Sequence, residues 1–305
     1  MSSENKNSSI KGSKSGIKIS SCVGVFAVVA IAGVVMRFIQ MSKFIDPETG
    51  FFTGGGAFNV IFYAVIAVAL IIFSAVSFLS SDVKKIEIGD DSHRFAGIGT
   101  RLFAVSLLWD SFYSFFAGVY NAGTSTAYTD IMKSGTLPLA LQSVFALLSA
   151  IYFFILASDF AKGTAKAYKR KILATAPVCW AGARLILRFL RQISFVQVSD
   201  LLLELVMIAF MVMFFMALAQ TASGVYRDNF KWRIPAFGLS AALISAVVNV
   251  PRLVFTFVDS SLVNSSHTFS LADFIFVIFI LALVSKIKED AQRPGFSAEY
   301  NEKAE

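Results

Sequence analysis

Charge is what this chain has least of. Only 15% of its 305 residues are Asp, Glu, Lys or Arg, whereas a water-soluble domain carries about a quarter. That shortage excludes a chain whose whole surface faces water. Cysteine is scarce too: Cys22 and Cys179 each lie in an apolar run, far apart. This excludes a disulfide framework or a cysteine metal site and leaves packing inside the protein as the expected role. The two histidines, His93 and His267, fall in different connectors, expected on opposite faces. A histidine-based catalytic or metal centre is not expected from them. The chain holds no H-E-x-x-H, no G-x-S-x-G and no G-x-x-x-x-G-K-[ST], and no connector approaches domain size. No catalytic residue, no cofactor and no metal are therefore assigned, and an enzyme is not expected.

What the chain does have is apolar length. Hydrophobic residues make up 56% of it, and Phe alone occurs 32 times. A bilayer core needs about 20 apolar residues in a helix. Eight segments meet or approach that: 19–36, 57–79, 96–120, 137–157, 172–190, 201–219, 236–258 and 271–284. The expected fold is all-α, a polytopic transmembrane helical bundle of eight spans over 19–288, between polar tails at 1–18 and 289–305. Helix-end chemistry supports the boundaries. Pro138 sits in a first turn, where a missing N–H costs nothing. Asp200 can cap the sixth span, and Ser270 with Asp273 has capping-box-like spacing. The runs Asp46-Pro47-Glu48-Thr49-Gly50 and Gly54-Gly55-Gly56 read as turns. A cleaved leader is the competing reading of the first span, with its basic start and Ala30-Ile31-Ala32, but the apolar run continues to Met36.

Short loops rich in Lys and Arg stay in the cytoplasm. With eight spans, every basic-rich segment falls on one side. These are the N-terminal tail with Lys6, Lys11, Lys14 and Lys18, and the second connector with Lys84, Lys85 and Arg94. The fourth connector adds Lys162, Lys166, Lys169, Arg170 and Lys171, and the sixth adds Arg227, Lys231 and Arg233. The C-terminal end has Lys286, Lys288, Arg293 and Lys303. Both termini are accordingly expected in the cytoplasm. The basic clusters read as orientation signals, and no nucleic-acid partner is expected.

Ionisable groups inside spans are expensive and are functional candidates by default. Asp110, Arg184, Arg188, Glu204 and Arg252 all fall in the outer half of their spans, counted at about 1.5 Å per residue. Arg184 and Arg188 are four apart and share a helix face. Glu204 lies at matching depth for Arg188. One reading is structural: arginines that snorkel, or a pair that fixes helix register. The other is an outward-open cavity with excess positive charge, which would take a small anionic ligand, because Arg recognises carboxylates and phosphates in a forked way. Pro251, preceded by Asn249 and Val250, is expected to kink the seventh span and free the carbonyl of Val247. Met207 and Met211 share one face of the sixth span, without a Cys or His to make a copper site. The outer loop with Asp46, Glu48, Phe51 and Phe52 reads as an interfacial turn with aromatic anchors. Met36-Arg37-Phe38 echoes Leu187-Arg188-Phe189, which suggests either duplication of a four-helix unit or chance.

The stretch Phe44-Ile45-Asp46-Pro47-Glu48-Thr49-Gly50-Phe51-Phe52 and the stretch Leu201-Leu202-Leu203-Glu204 resemble a group of uncharacterised multi-span membrane proteins of Gram-positive anaerobic bacteria. The resemblance implies a bacterial cytoplasmic membrane and carries no activity with it. The expected partners are the lipid bilayer and a small anionic ligand. Two functional classes stay open: a transporter or permease-like protein, and a ligand-sensing or accessory subunit acting through a partner membrane or cytoplasmic protein, for example at 162–171. A membrane protein with a purely structural role is the third.

Overall fold

The structure is a computed structural model. It describes residues 19–46, 52–80, 92–124, 136–164, 166–167, 170–190, 198–223, 231–258 and 269–292. Among the described residues there are eight α-helices and no strand. They are α1 (Ser20–Ile39), α2 (Gly56–Leu79), α3 (Arg94–Thr124) and α4 (Thr136–Lys162), followed by α5 (Ala176–Leu190), α6 (Val198–Ala222), α7 (Arg233–Val258) and α8 (Leu271–Gln292). Six of them, α1 to α4 with α6 and α7, are long and apolar enough to cross a membrane. The other two depart from that standard for different reasons. α5 has 15 residues after a 3-10 turn at Leu173–Thr175, a length of about 22 Å against a hydrocarbon core of about 30 Å. α8 has the length but carries Asp273, Lys286, Lys288, Glu289 and Asp290.

The helices alternate in direction, as side-chain contacts at their ends show. The C-terminal part of α1 meets the N-terminal parts of α2 and α6 through Arg37, Gln40, Asn59 and Asp200. The C-terminal part of α7 meets the same end of α6. At the opposite end, the start of α3 meets the close of α4 and α8, with the His93 amide donating to Phe160 O and its ring held by Glu289 and Asp290. α7 is the central helix and packs on α1, α2, α6 and α8. It can do so because its inner turns are small: Gly238, Ser240, Ala241, Ala242 and Ser245 are all buried, and small residues let helix backbones approach in a membrane bundle. The middle of the bundle is aromatic. Phe103 stacks on Phe279 at 5.1 Å and meets Phe153 edge-on at 4.9 Å. Phe214, Phe215, Phe276 and Trp180 close the cluster. The large apolar side chains that remain exposed, such as Ile71, Phe112, Phe116 and Phe257, form the kind of outer surface that suits lipid.

Several sequence expectations change at the residue level. α1 does not stop at Met36. It runs to Ile39 and into a π-turn at Gln40–Phe44, closed by Ile45 N–H donating to Gln40 O. Arg37 and Gln40 are both buried. α8 continues to Gln292, so Glu289 and Asp290 belong to a helix, not a tail. His93 lies in the connector just before α3, as expected, but its side chain is buried. Cys22 is buried, whereas Cys179 is exposed and faces outward instead of packing inside. α7 is continuous through Pro251. Gly55 turns at φ +69° in the connector before α2, where a Cβ would meet the Phe44 ring at 2.8 Å. Residues 47–51, Arg191, His267 and both tails, 1–18 and 293–305, lie outside the described residues.

Candidate functional site

The charges within the apolar helices gather at the end of the bundle remote from Ser20 and Gln292. Every helix that contributes one does so from the turn nearest that end or a few turns below it. Arg37 closes α1, and Asp200 and Glu204 open α6, one turn apart on the same face. Arg252 follows Pro251 near the end of α7. Arg184 and Arg188 stand one turn apart on α5, and Asp273 lies in the first turn of α8. The cost of charge in hydrocarbon turns all of them inward.

They form two groups. In the first, three arginines meet two acids. Arg37 is fully buried and pairs with Asp200, while also donating to Gln40 Oε1 at 2.9 Å. Gln40 in turn donates to Asn59 Oδ1 at 3.0 Å, which ties in α2. Arg252 Nη1 donates to Glu204 Oε1 at 2.7 Å, and Arg188 Nε stands 3.2 Å from Glu204 Oε2. Arg252 is 2% exposed and its Nη2 has no hydrogen-bond acceptor among the described residues. Asp200 Oδ2 is 3.6 Å from it. Asp200 and Arg188 are 18% and 19% exposed, so the group is reached from its edge.

The second group is separate. Arg184 donates both guanidinium nitrogens to the two oxygens of Asp273, each at 2.6 Å. This fork is the strongest geometry an arginine and a carboxylate can adopt. The same guanidinium lies 4.9 Å above the Trp180 ring. Trp180 Nε1 donates to Asp110 Oδ2 at 2.8 Å, and Gln142 Nε2 donates to the same oxygen at 3.0 Å. Ser245 Oγ donates to Asp273 O at 2.7 Å, and Asn249 Nδ2 donates to Ser245 O at 3.1 Å.

The five charged residues named from sequence therefore do not form one cavity. Arg188, Arg252 and Glu204 come together. Arg184 is neutralised elsewhere by Asp273, and Asp110 is bound by an indole and an amide. The excess of Arg184, Arg188 and Arg252 over Asp110 and Glu204 is not the arrangement present. Adding Arg37, Asp200 and Asp273 gives four arginines and four acids in all. Both added acids lie in the first turn of a helix, where a capping role also fits them. Asp273 N does accept the Ser270 cap, donating to Ser270 Oγ at 3.3 Å. The reciprocal half of the box is replaced, however: Ser270 N donates to Asn249 Oδ1 at 3.2 Å, and the Asp273 carboxylate is free for Arg184. Asn249 is thus a staple between α7 and α8. The signal that was available is simple: an acid in a helix's first turn at the depth of an unpaired arginine is a partner as well as a cap.

At the other end, the His93 ring is held between Glu289 at 3.0 Å and Asp290 at 2.7 Å, and Lys286 pairs with Asp290. Among the described residues no group of three or more His, Cys, Asp or Glu could hold a metal ion. Met207 and Met211 are buried core residues, while Met213 and Met216 point outward.

No family model, no curated protein and no solved structure matches the chain.

Proposed function

We propose that this chain is a multi-pass protein of a bacterial cytoplasmic membrane, crossed by all eight helices with both termini in the cytoplasm. We further propose that it is permease-like and takes a small oxyanion, a carboxylate by preference, at the Arg37–Arg188–Arg252 group on its outer side. One observation carries this reading. A buried guanidinium nitrogen of Arg252 lacks a hydrogen-bond acceptor, in a group where three arginines share two carboxylates. A buried donor left unsatisfied costs about 1–3 kcal/mol, more when charged. A monoanion at the edge between Arg188 and Arg252 would supply the acceptor and balance the group's charge. Arginine's fixed fork suits carboxylate and phosphate oxygens.

The test is a thermal-unfolding titration of the purified full chain in detergent. Acetate, succinate, glutamate and inorganic phosphate are compared with chloride at constant ionic strength. Saturable stabilisation by one of the oxyanions is expected, and lost in both Arg252→Gln and Arg188→Gln. Equal behaviour of all anions, chloride included, rules the site out.

A second reading, a ligand-sensing or accessory subunit, is favoured by the aromatic core. Phe103, Phe153, Phe214, Phe215, Phe276 and Phe279 pack on one another between the charged end and the His93 end. A permease must move that core to pass its ligand. Uptake of the stabilising anion into reconstituted vesicles separates the two readings: binding without uptake selects the sensor.

A further inference from the structure

Arg101 differs from the other arginines that lie within helices. Arg37, Arg184, Arg188 and Arg252 are each turned to a carboxylate, and Arg233 lies over the Trp232 ring. Arg101 is exposed and, among the described residues, has no ion pair, hydrogen bond or ring contact. Yet it lies inside α3, one of the helices long and apolar enough to cross a membrane. Arg94, at the start of that helix and about 10 Å away along its axis, is exposed and unpartnered in the same way. Seven residues apart, the two arginines share one helix face. The rest of that face is apolar: Ile98, Leu102 and Val105 are all exposed.

α4 supplies the neighbouring wall. Gly97, between the two arginines, lies against it: a Cβ there would stand 3.3 Å from Ala157 O and 3.5 Å from the Ala161 Cβ. Ser92 Oγ donates to Ala161 O at 2.8 Å, and the His93 amide donates to Phe160 O. Lys162 follows, exposed and likewise without a partner among the described residues. Further along α4, Ile151 and Phe154 are exposed. The seam between α3 and α4 thus has three free cations at one end and an apolar bed running away from them. The described acids of this end are turned elsewhere. Asp159 is buried and accepts from Thr164 Oγ1 and the Ala167 amide, both at 2.6 Å. Glu289 and Asp290 hold His93, and Asp290 also holds Lys286.

An arginine facing hydrocarbon costs about 2.5–3.5 kcal/mol on insertion scales, so it reaches for an anion or water. Side chains on a helix lean toward its N-terminus, which sends Arg101 toward Arg94 and the membrane surface. The anion that a bilayer supplies there is a lipid phosphate, whose oxygens suit the guanidinium fork. We propose that the α3–α4 seam is a site for one anionic phospholipid. Arg94 and Arg101 hold its phosphate with Lys162 at the edge, and an acyl chain lies along Ile98, Val105, Ile151 and Phe154. The headgroup carries net negative charge, because a zwitterionic one would bring a fourth cation to these three. The site requires that α3 cross the membrane, as in the proposed topology, and is independent of the three-arginine group.

The test is a titration of phosphatidylglycerol into the purified full chain in detergent, read by native mass spectrometry. Wild type is expected to retain phosphatidylglycerol in preference to phosphatidylcholine. Arg101→Gln and Arg94→Gln should each weaken retention roughly fivefold, the effect of one cation near a membrane surface. Arg170→Gln, at an exposed arginine of the α4–α5 connector, should bind as wild type does. So should Arg252→Gln, which separates failure of this site from failure of the anion site. Equal retention of the two lipids, or the same loss in Arg170→Gln as in Arg101→Gln, overturns the site. Stabilisation by inorganic phosphate equal to that by phosphatidylglycerol, and dependent on Arg101, makes the ligand a free phosphate and overturns the lipid assignment. Without lipid, Arg101→Gln should unfold at the wild-type temperature, because its side chain has no protein partner to lose. A lower temperature there means a structural role and also overturns the site.

Discussion

At the scale of single residues, the Arg184–Asp273 fork is the most sharply defined pair in the molecule, with both side chains buried. Removing one partner leaves a buried charge uncompensated, at about 3–5 kcal/mol, whereas replacing both by apolar residues is often neutral. Arg184→Met and Asp273→Leu should each lower the unfolding temperature in detergent strongly, and the double variant should recover most of the loss. Equal losses in the double variant and the sum of the singles would show that the pair acts through something other than its charges. Arg188 and Glu204 do not follow that pattern. Glu204 also holds Arg252, so changing both Arg188 and Glu204 to Met still strands Arg252. The rescue that a simple Arg188–Glu204 pair would give is therefore not expected, and a chain as stable as wild type would contradict the three-arginine group. The arginines were legible in the sequence, because a charge within an apolar run must snorkel, pair or face a polar cavity. Their partners were less so. Asp200 and Asp273 lie in first turns, where a cap explains them equally well.

At the scale of helices, periodicity and length located every one; most ends lie up to eight residues further out than expected, while α5 starts four residues later, at Ala176. What apolar patterning does not encode is which helices touch. α3 and α8 approach closely at Gly99, where a Cβ would lie 2.7 Å from the Cβ of Ala282. Neither atom has a rotamer to move, so the helices must separate. Overpacking of this kind costs about 1–3 kcal/mol, and Gly99→Ala should lower thermal stability by that amount, while Gly24→Ala, with open space around it, should leave stability unchanged. The same helix pair is fastened a turn or two further toward the start of α3 by His93 with Glu289 and Asp290. His93→Ala should raise hydrogen exchange in the last turns of α8, around 286–292, and leave the 271–280 turns protected. Unchanged exchange there would mean that α8 is held by its apolar face alone.

At the scale of the whole molecule, the account depends on which side of a membrane each end occupies. Six helices have the length and composition to cross. The proposed eight crossings bring α5 and α8 into the bilayer as well. That is reasonable because the charges of α5 and α8 near the remote end are paired inside the bundle, while α8's other charges lie at the His93 end. It is also the arrangement that sets the three-arginine group outside and the basic connectors inside. Single cysteines introduced at Ser8 and Ser297 should be shielded in intact cells, and one at Ser265 should react. The most direct measurement uses two exposed positions at opposite ends, Ser42 and Lys166, in a chain carrying Cys22→Ala and Cys179→Ala. Ser42→Cys should react with an impermeant thiol reagent in intact cells, and Lys166→Cys should react only after permeabilisation. Labelling of Lys166→Cys from outside would contradict the eight crossings and remove the anion group from the outer face.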